Sequence, residues 1–385
     1  MPARYGLGES GESGTLREPG EPRRAVFYWE ERGIALDDER VNPYGGLLAR
    51  ALAPHGVLLE PGWTLDPDWV RAQHGRVQVL HMNWLHRFYA DPDPAARRQR
   101  FRQFLSGLVL ARRLGFRLVW TMHNLYPHER HDPQLDRRVR RLVCLLAHSV
   151  IAHCQHAAGL LAEHFGRREG VYVIPHGHFI DVYPNTISRD AARRALGLPA
   201  SAYVYLYFGN IRSYKGVERL LDVFASLPGD DLRLVVAGRV HPNYRGPLSA
   251  TAGPPLDPRI VYRPGQVAID EMQVYFSAAD AVVLPFVDTL SSGSAITALG
   301  FGRPIVVPAV GCLPELVDDG RGGVVYDSAA PDGLVRAMHA VRAMDGAVAN
   351  AAALTRAREL DWDDIASQTL DAYGLAGGAG SAGAE

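Results

Sequence analysis

Twice along this chain, short apolar runs bounded by loops alternate with segments of helical period. Val26–Trp29, Val77–His81, Phe116–Met122, Val150–Ala152 and Val171–Ile174 make up the first series, with helical patterns over Gly46–Ala53, Pro94–Leu114 and Leu135–Ala147 between them. The pattern lapses from Pro175 to Pro199 and starts again with Tyr203–Tyr207, Leu232–Ala237, Arg259–Tyr262, Ala281–Leu284, Ile305–Val307 and Val324–Tyr326. Parallel strands need a helix-length crossover and are buried on both faces, so they read as unbroken apolar runs. The alternation predicts an α/β chain of two doubly wound domains in tandem. A first domain is expected over 23–182 and a second over 183–355. A last helix over 356–374 closes the chain and could cross back onto the first domain, which the sequence alone does not decide, and tails over 1–22 and 375–385 are read as disordered. A chain of 385 residues suits two cores better than one.

Composition narrows the classes. Apolar residues at 47% and charged residues at 22% are globular values. A net charge of −1 gives nucleic acid no reason to bind. No apolar run approaches a membrane span and the N-terminus lacks a signal pattern, so a cytoplasmic location is expected. Cys144, Cys154 and Cys312 show no CxxC spacing and are expected as reduced thiols. His153-Cys154-Gln155-His156 and the histidines from His123 to His131 lack metal-ligand spacing, so no metal is expected. Gly6-Leu-Gly-Glu-Ser-Gly11 spells GxGxxG, but no strand precedes it and no helix follows, so the match carries no dinucleotide site.

The polar groups at strand ends carry the chemistry, because ligands of open parallel sheets bind there. Tyr207-Phe-Gly-Asn-Ile-Arg-Ser-Tyr-Lys-Gly216 reads as strand, glycine turn and helix start, and it holds Lys215, the chain's single lysine among 41 basic residues. An ammonium there, with Arg212 and free backbone N–H groups beside it, suits phosphate oxygens. After Leu284, the run Ser291-Ser-Gly-Ser294 leads into a helix, whose N–H groups and hydroxyls also suit a phosphate. Both loops leave one sheet and together could clamp a diphosphate. In the first domain His123 follows a strand directly and is expected to project from the sheet edge, to orient a hydroxyl or accept a proton. Asn42, Tyr44 and Gly45 follow the first strand, and Asn83 and Trp84 end another; these five are the expected acceptor side. From Arg71 to Arg168 there are 17 arginines against six acidic residues, which suits an anionic acceptor or an acidic lipid surface.

These residues resemble the nucleotide-sugar glycosyltransferases of the GT-B fold, in the large group typified by retaining bacterial enzymes. The likeness is carried by FGNIRSYKGVERLLDVF, AADAVVLPF, SSGSAITALGFGRPIVVP, Gly311-Cys-Leu-Pro-Glu315 and Gly322-Gly-Val-Val, and more loosely by Asn42-Pro-Tyr, TMHNLYPHE and IPHG ending at Gly177. It covers about residues 25 to 375. The resemblance implies two Rossmann-like domains facing across a cleft, with a nucleotide sugar on the second and a hydroxyl acceptor on the first. It implies donor contacts from Gly209, Asn210, Arg239, Ser291, Ser292, Gly293, Ser294 and Thr297, and catalytic roles for His123, Arg212 and Lys215. Two positions depart from the family. Asn210 stands where an arginine precedes the lysine, so Arg212 is expected to substitute. Thr289 and Thr297 stand where two glutamates are common, one near the donor sugar and one on the ribose.

The resemblance implies metal-independent transfer of a hexose from GDP-mannose or a UDP-sugar to a hydroxyl. The acceptor would be a glycan, a lipid-linked sugar or a natural product, as in bacterial polysaccharide synthesis. No cofactor beyond the nucleotide-sugar co-substrate is expected, and the arginine-rich half favours peripheral contact with an anionic inner membrane face. Two other readings stay open at this point: a catalytically silent homologue that activates a partner enzyme, and a sugar-nucleotide epimerase, which would need carboxylates that Thr289 and Thr297 do not supply.

Overall fold

The structure is a computed structural model that describes residues 21–29, 33–38, 42–127, 132–249, 257–318 and 320–376. The Gly6–Gly11 match and most of both tails lie outside the described residues. So does the stretch 128–131, with the last of the histidines that follow His123.

The first domain carries strands β1 (Arg23–Tyr28), β2 (Val57–Pro61), β3 (Val79–Met82), β4 (Arg117–Met122), β5 (Ser149–Ala152) and β6 (Val171–Val173). Its helices are α1 (Tyr44–Leu52), α2 (Pro67–Gln73), α3 (Pro94–Arg113), α4 (Pro133–Leu146) and α5 (Gln155–Phe165). All strand pairs are parallel, in the order β2-β1-β3-β4-β5-β6. After α6 (Arg189–Leu196), the second domain runs β7 (Tyr203–Phe208), α7 (Val217–Ser226), β8 (Leu232–Gly238), β9 (Ile260–Pro264), α8 (Met272–Ala278) and β10 (Ala281–Val283). It continues through α9 (Gly293–Gly300), β11 (Ile305–Pro308), α10 (Leu313–Val317), β12 (Gly323–Tyr326), α11 (Gly333–Arg342) and α12 (Gly346–Arg358). This sheet is also parallel, in the order β12-β11-β10-β7-β8-β9. The fold is therefore two doubly wound α/β domains, and each sheet is covered on both faces by a separate apolar cluster.

Three elements, β2, α2 and α6, are absent from the periodic pattern, and α6 falls in the stretch where it lapses, burying only Ala192, Arg193 and Leu196. Strand β2 lies at the sheet edge and ends in Pro61, with Leu58 exposed, so it lacks the two-sided burial that makes a strand legible. Helix α2 buries only Val70 and is held by its ends, where Asp66 caps the N–H groups of Asp68 and Trp69.

Strand order decides where ligands can enter. In the second sheet the order reverses between β7 and β10, so the loops leaving these two strands diverge to opposite faces and open a crevice. The Lys215 loop follows β7 and the Ser291–Ser294 loop follows β10. In the first sheet the reversal falls between β1 and β3, whose following segments carry Asn42 and Asn83.

The last helix, α13 (Trp362–Tyr373), belongs to the second half of the sequence but packs on the first domain. The Ala372 carbonyl accepts from Ser149 Oγ at 2.7 Å, and Tyr373 Oη meets His81 Nδ1 at 2.7 Å. Where the chain recrosses, His178 N donates to the Leu360 carbonyl and Trp362 Nε1 donates to that of His178. Gly177 is obligatory there, since a Cβ would sit 2.3 Å from the Trp362 ring. Among the described residues no helix is long and apolar enough to cross a membrane.

Candidate active site in the interdomain cleft

Lys215 does not open α7 directly. It closes a 3₁₀ turn over Ser213–Lys215, and Gly216 then turns the chain into α7 with φ of 67°. A Cβ at Gly216 would meet the Pro285 carbonyl oxygen at 2.1 Å, so the glycine serves both the left-handed turn and the close approach of the two loops. Val287 N donates to the Tyr214 carbonyl at 2.9 Å and ties the loops together. The Lys215 Nζ lies 4.1 Å from the centre of the Phe286 ring, and no carboxylate pairs with it among the described residues. Burial, then the neighbouring Arg212 guanidinium, pulls its ammonium down to about 8.

Opposite Lys215, Ser292 caps α9 by accepting from Ala295 N. Gly209 turns at φ of 137°, a conformation that L side chains rarely adopt, and Ser294 Oγ lies 3.0 Å from where its Cβ would stand. Thr297 Oγ1 donates back to the Gly293 carbonyl and Thr289 Oγ1 to the Ser291 carbonyl, each at 2.8 Å. Both hydroxyl protons at the positions of the family's glutamates are thus committed to their own loop.

The first domain closes the cleft. Asn42 Oδ1 accepts from Tyr44 N, and the Asn42 amide nitrogen reaches to 3.7 Å of a Cβ position on Gly293 across the gap. Trp84 stacks on His123 with ring centres 4.8 Å apart. Two connected cavities result. One, of 720 Å³, is lined by Asn83, Trp84, Asn210, Arg212, Lys215 and Ser294 and extends over Arg87, Arg97 and Arg140. The other, of 400 Å³, is lined by His123, His176, Gly209, Thr289, Thr297 and the Ser291–Ser294 run.

Three expected residues stand elsewhere. Tyr44 and Gly45 do not offer a free loop: α1 begins at Tyr44, and both are buried. The Tyr44 ring packs among Trp29, His176 and Trp362, and a Cβ on Gly45 would press on Trp29, so the glycine answers to packing. Arg239 is exposed beyond β8 and lines neither cavity; His241, two residues on, lines the larger.

His123 lines the cleft but does not project freely from the sheet edge. It is 4% exposed, with Nε2 at 2.9 Å from Asn83 Oδ1 and Nδ1 at 3.1 Å from His153 Nε2. Burial, then His153, His176 and His81, holds its pKa well below the usual imidazole value. At neutral pH it is uncharged, which suits it to hydrogen-bond a hydroxyl and not to pair with phosphate. His153 and His176 were not separable in the sequence from other loop histidines; their positions after β5 and β6 were the available signal.

The cysteines overturn the reduced-thiol expectation. Cys154, at the start of α5, is disulfide-bonded to Cys312, just before α10, with Cα atoms 5.6 Å apart and 158 residues between them in sequence. Two lone cysteines carry no pairing signal; only the docking of the domains brings them together. The bond joins the domains beside the cleft, and Glu315 reinforces it by accepting from Gln155 N and His156 N at 2.9 and 2.8 Å. Cys144 remains a buried thiol, pushed up to about 12 by burial. Among the described residues no cluster of three or more His, Cys, Asp or Glu side chains is placed to hold a metal ion.

Residues 202–343 match the family described as Glycosyl transferases group 1, and residues 76–181 match Glycosyltransferase Family 4. A D-inositol 3-phosphate glycosyltransferase of Nocardiopsis dassonvillei is 30% identical over 291 residues, covering 70% of this chain and 67% of that protein. The chain belongs to the group 1 glycosyltransferases. A protein of the same name from Streptomyces bingchenggensis is 29% identical, and the match spans 69% of this chain but 63% of the relative's length. The GT-B fold of this transferase is shared with sucrose-phosphate synthase from Thermosynechococcus elongatus, at TM-score 0.68 and 20% identity over 92% of this chain and 98% of that one. It is shared too with Anabaena HepE in complex with UDP, at TM-score 0.67 and 16% identity over 91% and 98%.

Proposed function

We propose that this glycosyltransferase moves a hexose from a nucleoside diphosphate, a UDP-sugar or GDP-mannose, to a hydroxyl of an acceptor that carries an anionic group. The observation that carries the reading is the convergence of Lys215 and Ser294, from two loops of one sheet, on a cavity whose far wall is Asn83 and Trp84. Departure of the diphosphate builds negative charge, and Lys215, Arg212 and the α9 N-terminus stabilise it without a divalent cation. His123, neutral and seated beneath the smaller cavity, faces the sugar and orients a hydroxyl.

The anionic acceptor follows from the other end of the large cavity. Arg87, Arg97 and Arg140 line it with Asp132 and Asp136, Arg97 lying 3.9 Å from the Asp132 carboxylate and Arg140 donating to the Asp136 carbonyl. With Arg212 and Lys215 the lining carries more cationic than acidic side chains, a balance that suits a phosphate. The curated relatives are named for inositol 3-phosphate, which makes a phosphorylated polyol the first acceptor to try. The test is nucleotide release from UDP-, GDP- and dTDP-sugars, with inositol 3-phosphate and unphosphorylated inositol as acceptors, each with and without EDTA. Release that needs the phosphate and ignores EDTA is expected. Nucleotide binding without turnover on any donor would sink the reading.

A further inference from the structure

We propose that His153 is a positioning residue that, anchored on the Ile174 carbonyl, holds His123 in the tautomer with its proton on Nδ1 and a bare, accepting Nε2. The inference rests on a buried chain of contacts with a carbonyl at each end. From the Ile174 oxygen it runs to His153 Nδ1 at 2.9 Å and from His153 Nε2 to His123 Nδ1 at 3.1 Å. It continues from His123 Nε2 to Asn83 Oδ1 at 2.9 Å, and from Asn83 Nδ2, which donates, to the Tyr28 carbonyl at 3.3 Å.

Four contacts need four protons. Each neutral imidazole supplies one, and the Asn83 amide supplies one whichever way it is turned, since one arm donates and the other accepts. The chain is one proton short. The groups around the pair do not supply it: His81 of β3 is engaged by the Tyr373 and Thr121 hydroxyls, His176 meets the Gly177 carbonyl, and the rings of Trp29, Trp84 and Tyr44 complete the wall. The cations Lys215 and Arg212 line the cleft beyond. Burial holds His153 at about 4 and His123 well below its ordinary value, so the pair stays neutral.

One contact must therefore face lone pair to lone pair, and the longest costs least. That is the 3.3 Å approach of Asn83 to the Tyr28 carbonyl. A carbonyl can only accept, so the Ile174 oxygen fixes the His153 proton on Nδ1. His153 Nε2 is then bare and takes the proton of His123 Nδ1. His123 Nε2 in turn accepts from the Asn83 amide, an assignment that exchanges the positions of Oδ1 and Nδ2 so that the NH₂ group faces His123. A hydroxyl in the cleft that takes the place of the Asn83 amide would then donate to this Nε2.

The proposal deepens the proposed function and rests on it only for the kinetic arm of its test. Full-length protein with ¹⁵N-labelled histidine is examined by long-range ¹H–¹⁵N correlation at neutral pH, with His123→Gln and His153→Leu used for assignment. The expected spectrum shows His123 protonated on Nδ1 in the native chain. In His153→Leu the anchor is gone, and His123 should move its proton to Nε2 to meet Asn83 Oδ1. Turnover should then fall at least about tenfold, with the donor KM changed far less. His153→Asn, which keeps a donor and an acceptor, serves if the leucine variant does not fold; it should give a mixture of tautomers. Nε2 protonation in the native chain, or a His123 tautomer that is the same in the variants, overturns the proposal. A tautomer switch with unchanged turnover upholds it and instead sinks the placement of His123 at the sugar.

Discussion

Replacing Lys215 tests the diphosphate site most directly. Its ammonium lies against Phe286 beside Arg212, with no carboxylate among the described residues to neutralise it, so a bound diphosphate would be its counter-charge. A charge-assisted hydrogen bond contributes roughly 1.5–3 kcal/mol. Lys215→Met, which keeps the bulk and removes the charge, should weaken UDP or GDP binding by about 10- to 150-fold. The pH dependence gives a second, sharper readout. Burial and Arg212 place the free ammonium at about 8, and the bound phosphates raise it. Binding therefore requires a protonated lysine and weakens as pH rises through about 8. The protonated fraction falls from about nine-tenths at pH 7 to about one-tenth at pH 9, so Kd should rise about tenfold across that window. Burial keeps His123 and His176 neutral across this window and pushes Tyr214 up, so none of these three shares the slope. Isothermal titration calorimetry at pH 7, 8 and 9 measures both effects. A native Kd that is flat over this range, or the same slope in Lys215→Met, would refute the reasoning.

Two further outcomes follow from contacts around the cleft. Gly216→Ala forces a Cβ towards the Pro285 carbonyl at a positive φ, so the Lys215 loop must move. Strain of this kind costs about 1–3 kcal/mol, and nucleotide affinity should fall with a lowered Tm seen by circular dichroism. Reduction of Cys154–Cys312 by a dithiol, or Cys312→Ser, should lower the urea midpoint of the chain. The closed loop of 158 residues is worth about 5 kcal/mol in the chain-entropy account. Small-angle scattering should then show the domains sampling wider openings, and an unchanged profile would mean that Glu315 and α13 suffice to hold them.

Much of the fold was legible because parallel strands buried on both faces announce themselves as apolar runs, as Tyr203–Phe208 and Ala281–Val283 do. The donor half of the site was legible for a related reason. Its residues cluster in two short loops directly after strands, and a single lysine in an arginine-rich chain marks one of them. The edge strand β2 and the capped helix α2 were not, because they bury too little to leave a periodic trace.

The sequence by itself determined two doubly wound domains, the Lys215 and Ser291–Ser294 loops, and the arginine-rich face that contributes Arg97 and Arg140. Those follow from local rules of burial, turn chemistry and charge. Only the tertiary structure decided what depends on contacts between distant segments. It paired Cys154 with Cys312, laid α13 back on the first sheet, buried Tyr44 and Gly45 under α1, and joined His153 to His123. The physical reason is the same in each case: such contacts are set by how whole sheets and helices dock, and residues far apart in the chain leave no local spacing from which docking can be read.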